Sequence, residues 1–157
     1  MLSQKSKYAL KALIALARGV GSEPVRIQDL ATSENIPHKF LEAILLQLRH
    51  AGVLRSVKGP GGGYLLARPA EQVTVGQILR LFDGPLALIA CASQTAYVRC
   101  ADCSDEGACQ VRWMMLQVRE ATSNLLDQTS LAALAQQAEP LEVREAHGER
   151  DAARNLK

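Results

Sequence analysis

The sequence predicts a mainly α-helical fold: a winged helix-turn-helix with a small β-hairpin wing and a long C-terminal dimerisation helix. Three observations predict it. Two apolar runs with helical spacing lie three or four residues apart, and the second is the longer. A loop of four glycines and one proline, residues 59–63, then joins two short β-like runs. A long run from about Glu106 repeats its apolar residues every three or four positions.

Length and composition suit this fold. A chain of 157 residues fits one domain with an appended element. Hydrophobic residues make up 48% and aromatics only 4%, so the core must come from Leu, Ala, Ile and Val, the mix of helical packing. No run of 18 apolar residues occurs, and no membrane span is expected. The start, MLSQKSKYALKAL, interrupts its apolar residues with lysines. It reads as an amphipathic helix and not as a signal peptide, so a cytoplasmic protein is expected.

Charge is uneven along the chain. Residues 1–68 hold ten Lys and Arg against four Asp and Glu, a balance of +6, and the rest hold eight against twelve, a balance of −4. A basic front half suits a polyanionic partner.

The elements follow in order. Tyr8, Ala9, Ala12, Leu13, Leu16, Ala17 and Val20 form one helical face, ended by Gly19 and Gly21. A short helix over 27–35 turns Ile27, Leu30 and Ala31 inward. The next begins with Pro37 at its first position, buries Phe40, Leu41, Ile44, Leu45 and Leu48, and closes at Gly52. Its outward residues near the N-terminal end are His38, Lys39 and Glu42, with Arg49 farther along. That end reaches base edges in helix-turn-helix proteins. Lys39 suits guanine, and Glu42 suits the cytosine amino group.

The glycine loop lies between VLRSV and YLLA. A phosphate-binding P-loop needs a helix after it and a Gly-Lys-Ser/Thr ending, and neither is present. The loop is therefore read as a wing, Lys58, Gly59, Gly61, Gly62, Gly63 and Tyr64, beside the cation Arg55. Its missing side chains let backbone approach a groove or a phosphate. Lys5, Lys7 and Arg49 are further candidate phosphate contacts. A helix over TVGQILRLFD is capped by Thr74 and stopped by Gly84-Pro85. In the long helix, Val111, Met114, Met115, Val118, Thr122, Leu125 and Leu126 line one side and suit packing against a second copy of the chain. SLAALAQQA adds a short helix, and the charged tail 139–157 is expected to be mobile. The organisation is thus a DNA-binding domain (1–84), a cysteine loop (85–109), a dimerisation helix with a short helix (106–138), and a tail.

All four cysteines fall in that loop, as Cys91-x8-Cys100-x2-Cys103-x5-Cys109. In a reducing compartment they are thiols or ligands rather than structural disulfides. Thiolates are soft ligands for zinc or iron–sulfur clusters. A structural zinc site usually shows two tight pairs, and only Cys100 and Cys103 make one. The uneven spacing suits a cluster better, with zinc or no metal as alternatives. Asp102, Asp105 and Glu106 make the loop acidic, which raises thiol pKa values and counts against a reactive thiolate. A thiol oxidoreductase using Cys100 and Cys103 would need a βαβ setting that the sequence does not show.

The segments LSQKSKYALKALIALA, IPHKFLEAILLQLRHAGVL, SVKGPGGGYLLARP and VTVGQILRLFDGP together resemble the Rrf2 family, including its IscR and NsrR branches. The resemblance runs from about Leu2 to Asp127. It implies a homodimeric, non-enzymatic winged-helix transcription factor, often a repressor, on a two-fold symmetric operator in double-stranded DNA. It also implies an iron–sulfur cluster on three cysteines near the dimerisation helix, through which redox state, nitric oxide or iron supply changes DNA affinity. Those branches commonly space their cysteines C-x5-C-x5-C. Here Cys103 and Cys109 match the last two, and Tyr97 stands where the first belongs. Arg112 occupies the place of a histidine found three residues past the last cysteine in one branch. Lys7 occupies the place of an acidic ligand in the other. Cys91, Cys100 or both must substitute.

Overall fold

The computed structural model describes residues 2–19 and 23–137. The expected contributions of Val20 and Gly21, and the tail 139–157, lie outside them. Helix α1 spans Gln4–Arg18, with the Ser3 side chain accepting the Ser6 N–H at its start. Helix α2 spans Ile27–Glu34 and α3 spans His38–His50. The turn between them uses Asn35 at φ 51°, a left-handed position that Asn tolerates better than most residues. Ile36, in the same turn, is buried. A helix, a three-residue turn and a second, longer helix are therefore present as expected.

The stripe of α3 is Leu41, Ile44, Leu45 and Leu48, all fully buried. They meet Leu13 of α1 and Leu30 of α2 in one core. Full burial of each such side chain stabilises by about 1.5–3 kcal/mol relative to exposure. Phe40 departs from expectation: it is 41% exposed. It sits one residue off the centre of the stripe, so its ring only meets Tyr8 edge-on, at 5.6 Å between centroids. Pro37 is the N-cap of α3 rather than its first helical residue. Ile27 and Ala31 are half-buried.

Strands β1 (Leu54–Val57) and β2 (Gly63–Leu66) pair antiparallel, with Leu54 opposite Leu66 and Val57 opposite Gly63. Val25, just before α2, exchanges two backbone hydrogen bonds with Tyr64 and extends the hairpin. Helix α4 (Val75–Asp83) carries a full capping box between Thr74 and Gln77, and Gly84 ends it at φ 83°.

Helix α5 (Gln110–Gln128) starts four residues later than the sequence suggests. The Glu106 carboxylate is taken by Tyr97 and Arg99, and Cys109 becomes the N-cap, its Sγ accepting the Arg112 N–H at 3.4 Å. Helix α6 (Leu131–Gln136) returns to the core, where Leu131 is fully buried and its N–H donates to Val73. Among the described residues no helix is long and apolar enough to cross a membrane.

Candidate nucleic-acid interface and cysteine cavity

The fold packs α3 against α2 and β1, and the Val25–Tyr64 bridge ties the hairpin to the chain just before α2. His38, Lys39, Glu42 and Arg49 are all exposed on α3. The burial of Leu41, Ile44, Leu45 and Leu48 makes this unavoidable, because the opposite face of the same helix must meet solvent. His38 Nδ1 lies 3.9 Å from Glu42 Oε1, one turn on. Arg55 and Lys58 are exposed along β1 and the wing. Lys7 is exposed on α1, whereas the Lys5 ammonium stands 5.4 Å from the centre of the Phe82 ring.

The wing glycines have different causes. Gly59 holds φ +109°, where side chains are strained. A Cβ on Gly62 would lie 2.9 Å from the Gly59 carbonyl oxygen and closer still to that of Val57. One on Gly63 would strike the Val25 carbonyl and stand 3.0 Å from the Arg26 nitrogen. Those two glycines let the hairpin pack on its own chain. Gly61 has neither constraint: its φ is ordinary and a Cβ there would meet nothing within 4 Å. Sequence reasoning assigned all the glycines to one outside approach. It also missed Arg26, whose guanidinium donates to the Pro60 carbonyl at 2.8 Å and ties the wing tip to the start of α2. A lone arginine before a helix carries no signal of such a contact.

The second site is a cavity of about 470 Å³ between the short 3-10 turn Ala90–Ala92 and the start of α5. All four cysteines line it, with Asp102, Asp105, Glu106 and Arg112. Cys91 is buried, Cys100 exposed, and Cys103 and Cys109 intermediate. The Cys91 contact pushes the Cys100 thiol pKa up, with Asp102 adding to it. Desolvation, then Cys109, pushes Cys103 up. The acidic residues, Asp102 for Cys100 and Glu106 for Cys103, contribute less than desolvation and the neighbouring thiol.

Tyr97 is not part of the cavity wall, and its hydroxyl donates to Glu106, which raises the phenol pKa. Cys91 and Cys100 both line the wall in its stead. Arg112 Nε donates to the Cys91 carbonyl at 3.0 Å, and Arg119, two turns on, donates to the Ala92 carbonyl at 3.0 Å. The two arginines hold the 3-10 turn against α5. Lys7 is not among the cavity's lining residues.

Helix α5 has no buried residue. Val111, Met114 and Leu125 are 64%, 49% and 68% exposed, and Met115, Val118 and Thr122 are half-buried. Trp113, overlooked in the sequence, is exposed as well. Arg80 of α4 grips Asp127 of α5 through two hydrogen bonds, at 2.5 and 2.8 Å. That bond holds the Asp127 carboxyl below its usual range. Gly76 makes room for the pair, since a Cβ there would stand 2.9 Å from Arg80.

A winged helix-turn-helix with a cysteine loop and an exposed apolar helix is thus in place. Residues 2–137 match the family model described as Rrf2, iron-dependent transcriptional regulator. The chain belongs to the Rrf2 family. A putative HTH-type transcriptional regulator, rrf2-like, of Rhodobacter capsulatus is 42% identical over 134 residues, covering 83% of this chain and 89% of that one. The Rrf2 fold is equally clear in solved structures. CymR, the global cysteine regulator of Bacillus subtilis, superposes with a TM-score of 0.74 at 29% identity, over 88% of this chain and 98% of that one. The T. potens IscR structure gives 0.70 at 27% identity, over 94% and 93%. Family and fold are those of DNA-binding transcriptional regulators and not of enzymes. The described strands form only a two-stranded antiparallel sheet, so the βαβ setting of a thiol oxidoreductase is not built.

Proposed function

We propose that this Rrf2-family regulator binds a two-fold symmetric operator as a homodimer, represses by occupying it, and adjusts its affinity through the cysteine cavity. The observation that carries the DNA reading is the exposed face of α3 beside the wing. Lys39 and Glu42 stand where a recognition helix meets base edges, with His38 adjoining. Arg49, Arg55, Lys58 and Lys7 supply cations for phosphates, and Lys5 can do so only by leaving Phe82. Gly61 is the wing position left open for close approach. The apolar side of α5 is the surface for a second copy, which would set the spacing of two recognition helices.

The cavity's donor set suits an iron–sulfur cluster. Four thiols, the ligand type such clusters take, share one wall. A single zinc ion instead needs its ligands gathered at one point. Among the described residues no three Cys, His, Asp or Glu side chains are so gathered, and loading with either a cluster or zinc would have to draw the thiols together. Bound there, a cluster would supply reversible electron transfer and reactivity toward nitric oxide and oxygen. Arg112 and Arg119 would keep Cys91 in the donor set, and Asp127 with Arg80 would pass a shift of α5 to α4.

The test is operator selection from random duplexes by the anaerobically purified chain, with iron and sulfide analysis of the same sample. A palindromic consensus and an affinity that changes on oxidation are expected. Sequence-independent binding would overturn the DNA reading, and iron-free protein with unaltered affinity would overturn the sensing one.

A further inference from the structure

A groove of about 350 Å³ lies between the end of α1 and the hairpin, and it shares no residue with the cysteine cavity. Its volume falls within the range of small-ligand sites. Leu16, Leu65 and Leu66 give it aliphatic walls, and Arg55, Arg68 and Glu71 are its charged residues. The hairpin register sets Arg55 directly across from Leu65, on the same face of the ribbon. Arg68 follows the end of β2, and Glu71 sits in the 3-10 turn Ala70–Gln72.

The two cations are not neutralised by the groove itself. Among the described residues neither Arg55 nor Arg68 forms an ion pair. Arg68 is half-buried, and one terminal nitrogen donates to the uncharged Gln77 side chain at 3.2 Å. Its Nε is buried and makes no hydrogen bond. A buried charged donor without an acceptor is costly, so the groove favours a carboxylate. Glu71 opposes a plain anion and suits an ammonium. The leucines suit an aliphatic chain beside both charges.

We propose that this groove binds an aliphatic α-amino acid, with its carboxylate on Arg55 and Arg68, its ammonium on Glu71 and its side chain on the three leucines. A guanidinium meets a carboxylate through two parallel hydrogen bonds, which fixes the orientation of the ligand. Occupancy withdraws Arg55 from a phosphate, so the amino acid lowers operator affinity. That last step rests on the DNA reading above, and binding itself does not.

The test titrates the full-length, anaerobically purified chain with L-leucine by isothermal calorimetry. One saturable site per chain is expected. Isocaproate lacks the ammonium and isoamylamine lacks the carboxylate. Each should bind about tenfold more weakly or worse, since one charge-assisted contact is lost. Glu71→Gln, checked for unchanged helix content by circular dichroism, should weaken leucine by a similar factor and bind isocaproate no worse than the parent does. Absence of a saturable site for leucine, equal binding of isoamylamine, or the parent's leucine affinity in Glu71→Gln would overturn the site. Operator affinity is then measured with and without saturating leucine. A severalfold loss is expected in the parent, and a smaller one in Glu71→Gln at the same leucine concentration. Leucine that binds and leaves operator affinity unaltered would overturn the coupling through Arg55. A chain that binds leucine with the expected pattern and selects no operator supports the site and breaks the DNA reading alone.

Discussion

Helices α3 and α5 both turn a face to solvent, and the two faces differ in kind. The α3 helix buries four aliphatic side chains completely and shows chiefly charged residues, Lys39, Glu42 and Arg49, with Phe40 and Leu46 exposed on other parts of its surface. The α5 helix buries none and shows Val111, Trp113, Met114 and Leu125. An exposed polar face beside a full core needs no further partner to be stable. An exposed apolar face keeps unfavourable contact with water until something covers it. The first face is suited to a ligand that comes and goes, and the second to a permanent neighbour.

The strongest way to break that contrast is a charge on the apolar face. Leu125→Asp should convert a dimer to a monomer in sedimentation equilibrium. It should also weaken operator binding roughly a hundredfold, because one linked half-site contact becomes two separate ones. Retention of the dimer would move the contact elsewhere. On the polar face, Lys39→Ala should cost about 1–3 kcal/mol and relax preference at one base pair if its contact is bidentate. A binding titration over single-base operator variants measures both, and an unaltered preference would remove Lys39 from base readout.

The wing divides the two roles within one loop. Gly63→Ala should lower stability by about 1–3 kcal/mol in urea unfolding, the range for forcing atoms into a packed site. Gly61→Ala should leave the unfolding midpoint in place and weaken DNA binding severalfold. Equal effects of the two substitutions on stability would mean that Gly61 also serves packing.

The smallest effect concerns the junction of the two helices. The folded-state pKa of Asp127 is depressed by Arg80. Its contribution is therefore complete above the unfolded value of about 3.9 and is lost as pH falls through the lower folded value. The pair is partly exposed, so Asp127→Asn should cost less than about 1 kcal/mol at neutral pH. The variant and the parent should converge in stability in acid. A difference that persists at low pH would assign the effect to packing around Gly76 instead.

Much of this was legible in the sequence. The stripes at Leu13 and Leu16, and at Leu41, Ile44, Leu45 and Leu48, announced both helices and, by exclusion, the outward residues. Thr74 and Gly84 marked their helix ends. Phe40 was misread because a periodic pattern does not tell the middle of a stripe from its edge. The start of α5 was placed too early because the pull of Tyr97 and Arg99 on Glu106 is a contact across a loop.

Periodicity and capping act between residues three or four apart, so the sequence by itself determined the helices, the hairpin and the charged face of α3. The tertiary structure alone decided that all four thiols line one cavity, why Gly62 and Gly63 differ from Gly61, and that Arg112 holds Cys91. Those outcomes depend on segments meeting from distant positions along an irregular backbone, where no repeat records the partner.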